Sequence, residues 1–258
     1  MALIVFKKMH GIGNDFVLID ARCQDFPIDI NTVVALSNRH TGIGFDQLLL
    51  LNNSEHENCD AAYRFFNPDG SEAEQCGNGQ RCISLYLHQL NPDQSEFCVS
   101  GLAGIIQSKI VAKNRVQVNM GQVQSCEPMT LAGQICQYVS FGNPHLVTTT
   151  QDVLNSDLEA LYQQYVHHFA QGINFELVEI IDRQNIKLRV YERGTGETLA
   201  CGSGASAAVY ALYKSGQLDN KVKVMLPGGN LVVEYNQHTK NIYLTGPAQQ
   251  VFTGEIKP

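Results

Sequence analysis

The chain lacks any apolar run approaching the roughly 18 residues a membrane-spanning helix needs. It also lacks a basic stripe: formal net charge is -7, the isoelectric point is near 5.6, and Lys7-Lys8 is the one adjacent basic pair. A nucleic-acid surface gathers Lys and Arg on one face, so neither membrane nor nucleic acid is expected as a partner. The opening residues 1–8 place their charges after a very short apolar run, the reverse of a secretory leader. A cytoplasmic protein with reduced thiols is therefore expected. None of its eight cysteines forms a Cys-x-x-Cys. The tight ligand pairs of a zinc site are missing, no metal is expected, and most of the cysteines read as packing residues.

What is present is an ordinary globular composition, 44% hydrophobic and 17% charged over 258 residues, enough for a substantial core. Strand-like runs cover residues 3–6 and 16–19, with a break at 10–15. Others cover 48–51, 61–66, 135–141, 146–149, 174–181, 186–192, 222–235 and 242–245, with short strands between 97 and 120. Helical patterns cover 29–39, the segment after Cys76 (buried on several faces), 153–169 with Asp152 or Ser156 as cap, and 202–215. The order is a weak internal duplication, each half wrapping strands about one small-residue helix. The class is α+β, with one domain over 1–118 plus the returning tail 247–258, and the other over 119–246.

Two stretches organise the chain. Asn67-Pro68-Asp69-Gly70-Ser71-Glu72 leads to Cys76-Gly77-Asn78-Gly79, and Glu192-Arg193-Gly194-Thr195-Gly196-Glu197 leads to Cys201-Gly202-Ser203-Gly204. Each reads turn, Glu, cysteine, glycines, helix. Helix first-turn N–H groups have no intrahelical partners and carry the positive end of the dipole. Glycines let a ligand approach them, so the site favours an anion such as a carboxylate. The same field is expected to lower a thiol below its ordinary value near 8.5 and supply thiolate. One such cysteine alone reads as a small buried residue. Two in matching context suit a base and an acid working on opposite faces of one carbon.

Other polar residues keep two readings. His145, after Asn143-Pro144, is either a structural histidine or a group tuning a thiol. Glu192-Arg193 is either a surface ion pair or a clamp on a substrate's far end. Asn14, Gln47, Asn67, Asn143 and Asn174 fall in turns or at strand ends, where amides are common. Gly11-Ile12-Gly13 lacks the third glycine and the helix of a dinucleotide fingerprint.

Taken together the motifs resemble the diaminopimelate epimerase family. They are Gly11-Ile12-Gly13-Asn14-Asp15-Phe16, Arg39-His40-Thr41-Gly42-Ile43-Gly44-Phe45-Asp46-Gln47, Phe66-Asn67-Pro68-Asp69-Gly70-Ser71 and Cys76-Gly77-Asn78-Gly79. They continue with Gly142-Asn143-Pro144-His145, Arg189-Val190-Tyr191-Glu192-Arg193-Gly194, Cys201-Gly202-Ser203-Gly204 and Leu226-Pro227-Gly228-Gly229. The resemblance implies a cofactor-independent epimerase converting LL-diaminopimelate to the meso form, for lysine and peptidoglycan synthesis. It implies two pseudo-symmetric domains, each a mixed, mostly antiparallel sheet curled around a central helix, with the active site in the cleft between them, and a homodimer.

By that resemblance Cys76 and Cys201 are the acid–base pair, tuned by His145 and Glu192. Gly77, Asn78, Gly202 and Ser203 hold the reacting carboxylate. Asn14, Gln47, Asn67, Asn143, Asn174, Glu192 and Arg193 bind the substrate, with Arg193 on a distal carboxylate. Two departures stand out: the region 121–140 is shorter than in the family, and Phe252 stands where a tyrosine at the dimer contact is expected. Two rival readings are a sister proline/hydroxyproline-type racemase and a non-catalytic thiol redox or binding protein.

Overall fold

The computed structural model describes residues 3–257. Contacts divide the chain into two compact units, Met1–Val118 with Gly246–Pro258, and Asn119–Thr245.

The first unit opens with a hairpin of β1 (Ile4–Gly11) and β2 (Asn14–Asp20). Its turn is only Ile12-Gly13, with φ of 49° and 89°. Two successive left-handed residues match the twist of a tight hairpin. The expected break at 10–15 is therefore corrected: both strands run up to the turn, and Asn14 opens β2.

Helix α1 (Ile30–Ser37) is capped by Asp29, which accepts the Thr32 N–H at 3.1 Å. It stops short of residue 39 because the Ile43 and Gly44 N–H groups take the Leu36 carbonyl. The chain crosses through α1 to β3 (Gln47–Asn52), parallel to β2, and turns back as β4 (Ala61–Phe66). The two-residue β5 (Glu72–Ala73) folds onto β4, and α2 (Gly77–Leu90) crosses to β6 (Glu96–Gly101), parallel to β4. An antiparallel run of β7 (Gly104–Ala112) and β8 (Arg115–Gln122) follows.

The second unit repeats this series. Strands β9 (Ser125–Leu131), β10 (Gln134–Ser140) and β11 (Pro144–Thr149) are antiparallel neighbours. Helix α3 (Leu158–Val166) leads to β12 (Asn174–Asp182), parallel to β11, then β13 (Asn185–Glu192) and the short β14 (Gly196–Thr198). Helix α4 (Gly202–Lys214) crosses to β15 (Lys221–Leu226), parallel to β13, and β16 (Gly229–Tyr235) and β17 (Asn241–Pro247) complete the run. The last strand, β18 (Gln249–Ile256), pairs with β1 as β9 pairs with β10. The weak duplication in sequence is a full repeat of topology.

Helix α3 is shorter than the expected 153–169. Its cap is Asp157, which accepts the Ala160 N–H at 3.0 Å, rather than Asp152 or Ser156. The Arg189 guanidinium draws off the carbonyls of Val153 (2.9 Å) and Ser156 (2.7 Å). At the far end the Phe169 N–H reaches only to Val166, a tight turn rather than a helical bond.

Strands β2, β3, β11 and the first half of β12 are buried on both faces, which is why they read as continuous apolar runs, while β8, β13, β16 and β17 alternate buried with half-buried residues. In β2, Val17 and Ile19 pack with Phe6, Val33, Leu48 and Leu50 on the α1 side. Phe16 faces the start of α2, where a Cβ on Gly79 would lie 3.5 Å from its ring. Helix α2 is buried from Gly77 through Leu87. Helix α4 meets the same crowding with glycine, serine and alanine from Gly202 to Ala208.

Candidate active site

Both cysteines of interest sit at the N-cap of the central helix of their unit. Cys76 caps α2 with φ -144° and ψ 110°, and Cys201 caps α4 with φ -129° and ψ 114°. In each case Sγ accepts the N–H three residues on, from Gly79 and from Gly204, at 3.4 Å. Sulfur thus takes the place usually held by a Ser or Asp oxygen.

The surrounding polar residues converge on these caps by topology. Parallel neighbours β2 and β3 begin at one end of the sheet, and β4, antiparallel to β3, finishes there. Asn14, Gln47 and Asn67 therefore meet at that end with Cys76. Cys76, when protonated, donates to Asn14 Oδ1 at 3.7 Å, and the Asn78 amide donates to the same oxygen at 3.1 Å. Asn14 Nδ2 is fixed by Asp46 at 2.8 Å. Gln47 donates to Asn67 Oδ1 at 3.0 Å, while its own carbonyl oxygen is buried without a hydrogen-bond partner. Behind them lies Arg81, fully buried, donating to Asn78 Oδ1 at 2.8 Å and to the carbonyls of Gly77 and Pro247. Burial pulls its guanidinium down to about 10, so it stays cationic at neutral pH.

The second unit brings Asn143, Asn174, Glu192 and Arg193 to the corresponding end. Asn143 donates to Ser203 Oγ at 3.3 Å. Asn174 donates to the Pro144 carbonyl and accepts the Arg193 N–H at 3.0 Å. Glu192 accepts from Thr198 at 2.5 Å. The Arg193 side chain is exposed and holds the Gln171 carbonyl at 3.1 Å.

His145 is fully buried and bonded through Nδ1 to Glu176 Oε1 at 2.7 Å, with both side chains at 0% exposure. Sequence reasoning missed Glu176. The signal was there: a lone carboxylate inside the apolar run Phe175-Glu176-Leu177-Val178. Arg81, missed likewise, stands in a helix otherwise read as buried on several faces.

The expectation that the helix field alone supplies thiolate fails at Cys201. Burial pushes this thiol well above its ordinary value, and the Glu192 and Glu176 carboxylates push it further; hydrogen bonds from Ser203 and the Gly204 N–H oppose them without prevailing. Desolvation of the charged form is the largest influence on it.

Proteins of similar fold place this arrangement. A PhzF-family phenazine biosynthesis protein of Bacillus anthracis matches with TM-score 0.74 at 18% identity, over 100% of both chains. A hydroxyproline epimerase from Agrobacterium vitis matches with TM-score 0.73 at 12% identity, over 98% of this chain and 92% of that one. The class is thus the two-unit α+β fold shared by epimerases and PhzF-type proteins. Within it, the diaminopimelate epimerase family model matches residues 6–126 and 137–251. Diaminopimelate epimerases of Acinetobacter baylyi (39% identical, 98% of this chain and 97% of that protein) and Teredinibacter turnerae (40%, 98% of each) are aligned nearly end to end. The chain belongs to the diaminopimelate epimerase family. The interval between the two matched stretches falls on the β9–β10 hairpin.

Proposed function

We propose that this chain interconverts LL- and meso-diaminopimelate by proton transfer between Cys76 and Cys201. The observation that carries this reading is the matched pair of sulfur caps, each at the N-terminus of a central helix in a repeated unit. Family membership supports the substrate. Cys76 thiolate, backed by the Arg81 cation, takes the α-proton of the LL isomer onto sulfur. The resulting carbanion is spread into its carboxylate, which the first-turn N–H groups at Gly77, Asn78, Gly202 and Ser203 stabilise. Cys201 then delivers its thiol proton to the opposite face, leaving thiolate there and thiol at Cys76. The reverse reaction runs the same steps backwards. The chemistry requires the two sulfurs to reach opposite faces of one carbon.

The distal amino-acid end falls to Asn14, Gln47, Asn67, Asn143, Asn174, Glu192 and Arg193. Buried polar groups discriminate by being left unpaired when a ligand lacks their partner. The orphaned Gln47 oxygen fits a distal ammonium, and the exposed Arg193 fork fits a distal carboxylate. Arg193→Lys should raise KM at least about tenfold with a smaller change in kcat, since a point charge does not reproduce the bidentate contact. His145 and Glu192 tune the two thiols. The proposed setting is the cytoplasm and the proposed assembly a homodimer. Phe252 stays 47% exposed beside Val251 at 56%, apolar area on β18 that self-association would cover.

The direct test is purified, reduced protein incubated with LL-diaminopimelate without pyridoxal phosphate, followed by stereoisomer separation. Meso product supports the proposal. Racemisation of proline or hydroxyproline in its place would move the chain to the sister activity.

A further inference from the structure

The two units differ where they should match. By strand register Phe16 pairs with Gln47 as His145 pairs with Asn174, so His145 stands at the position of Phe16. Two residues along the next strand, Glu176 stands at the position of Leu49. The contacts agree: a Cβ on Gly79 would lie 3.2 Å from Leu49, and one on Gly204 would lie 2.7 Å from Glu176 Oε1. Beneath Cys76 the strands supply an apolar Phe–Leu pair, and beneath Cys201 a fully buried His–Glu pair.

Burying two titratable groups where a Phe–Leu pair fits equally well is destabilising unless they act. The point 2.7 Å from Glu176 Oε1 is also 3.3 Å from Cys201 Sγ, which sets the two atoms no more than 6.0 Å apart, the sum of those distances. Nδ1 of His145 is taken by Glu176, while His145 Nε2 and Glu176 Oε2 are buried without hydrogen-bond partners. We infer that Glu176 is a positioning residue that, through His145, holds a proton in reserve for Cys201, a device with no counterpart at Cys76. This rests on the acid–base reading above and adds to it the part that resets one thiol.

The chemistry balances simply. Full burial disfavours a bare Glu176 carboxylate, so Glu176 is the member of the pair that holds the proton. When Cys201 has given its proton to carbon, the pair passes its proton to that sulfur and regains one from water, while the proton that Cys76 took from substrate leaves for water, so the starting state returns with no net gain or loss; for the reverse direction the same transfers run backwards. The groups facing this exchange are Cys201 on α4, Glu192 at the end of β13 and His145 at the start of β11. Burial raises Glu176, with His145 opposing and Glu192 adding to the rise.

The test compares wild type, Glu176→Gln, and the double variant His145→Phe/Glu176→Leu, which rebuilds beneath Cys201 the pair found beneath Cys76. Gln keeps an oxygen for Nδ1–H but cannot hold the proton. Its kcat should fall at least about 100-fold, KM should move far less, and one limb of the kcat–pH profile should shift. The double variant should melt no lower than wild type and lose the same activity. A Glu176→Gln enzyme with wild-type kcat and pH profile would overturn the inference, and does so even if the double variant fails to fold. An inactive wild-type protein would overturn the underlying reading as well.

A separate observation points to a modification site. Cys59 and Cys98, both half-buried, hold their sulfurs 2.9 Å apart. The backbone keeps them there: the Asp60 N–H donates to the Cys98 carbonyl at 2.7 Å, and the Cys98 N–H donates to the Asp60 carboxylate at 2.8 Å. The geometry points to an intrachain disulfide formed on exposure to a hydroperoxide, bracketing β4, the Cys76 loop and α2. Closing the bond asks for a movement of about 1 Å toward the ~2.0 Å of a disulfide. Burial and the neighbouring Cys59 push Cys98 up to about 12. The Cys59 thiolate takes one oxygen from hydrogen peroxide, releasing hydroxide and leaving a sulfenic acid. The Cys98 thiol then displaces that oxygen as water, and two thiols have given two electrons. Native protein treated with near-stoichiometric hydrogen peroxide, alkylated and digested should yield a Cys59–Cys98 linked peptide that dithiothreitol separates. Recovery of both peptides alkylated, while exposed Cys23 is oxidised, would overturn the assignment.

Discussion

Cys76 and Cys201 each do two things that substitution can separate. As caps they accept an N–H from the first turn, a role serine fills at least as well. As the proposed acid and base they need the thiol. Cys76→Ser and Cys201→Ser should therefore each lose at least about 1000-fold in epimerisation while melting within a few degrees of wild type. Substitution by alanine should cost about 1 kcal/mol more, the price of an empty cap. Circular dichroism melts beside the activity assay decide this; full activity in either serine variant would contradict the two-cysteine scheme. Glycines offer a second contrast. A methyl on Gly79 meets Leu49 at 3.2 Å, which a side chain can absorb, but on Gly204 it meets Glu176 at 2.7 Å and Cys201 Sγ at 3.3 Å. Gly204→Ala should impair turnover more than Gly79→Ala, and the reverse order would argue against a critical carboxylate there. Motif residues were legible at this scale because glycines, turns and caps are local signals. Glu176 left only the signal of a lone carboxylate in an apolar run, its partner His145 coming from another strand, and the burial of Arg81 depends on how α2 packs and on the Pro247 carbonyl far along the chain.

At the scale of elements, one cluster holds Asn14 in place. Asp15 on β2 is bound by Lys8 of β1 and by Arg39, which lies beyond α1, at 2.7 and 3.1 Å. Arg39 also reaches Asp46, whose other oxygen holds Asn14 and the Asp15 N–H. Burial works to raise Asp15, but hydrogen bonds from Arg39 and Lys8 outweigh it and bring the carboxyl from 3.8 down to about 2. A depressed folded value stabilises the protein above the unfolded value and is lost as pH falls through the folded one. Asp15→Asn should therefore be less stable than wild type at neutral pH, with the difference closing between about pH 4 and 2. Urea titrations across that range measure it, and a gap that persists at pH 2 would contradict the clamp. The elements themselves were largely visible, since two-sided burial writes β2, β3 and β11 as apolar runs and one-sided burial writes β8, β13 and β17 as alternating ones. Their ends were less so. Helix α3 loses its first turn to Arg189, a residue on another strand, and the β1–β2 break shrinks to two residues by adopting left-handed backbone.

For the molecule as a whole, the repeat explains why one fold can offer two similar sulfurs. Duplicated topology produces duplicated caps, and the units then differ in what is buried behind them: a cation behind Cys76, a His–Glu pair behind Cys201. The duplication could be suspected from the two cysteine loops, but its register could not, because pairing is fixed by contacts between strands rather than by spacing along the chain. Assembly is tested separately. If β18 lies in a dimer contact, Phe252→Asp should shift the protein toward monomer in light scattering at micromolar concentration; an unchanged mass would place the contact elsewhere.

The central claim is that two different groups serve the two faces of one carbon. Wild-type protein incubated with LL-diaminopimelate in deuterated water, sampled before equilibrium and separated by stereoisomer, addresses it directly. Two monoprotic thiols predict one deuterium at the inverted carbon of the meso product and almost none in the recovered LL substrate. Deuterium entering the LL pool as fast as the meso pool would mean a single base facing both ways, and would contradict the assignment of Cys76 and Cys201.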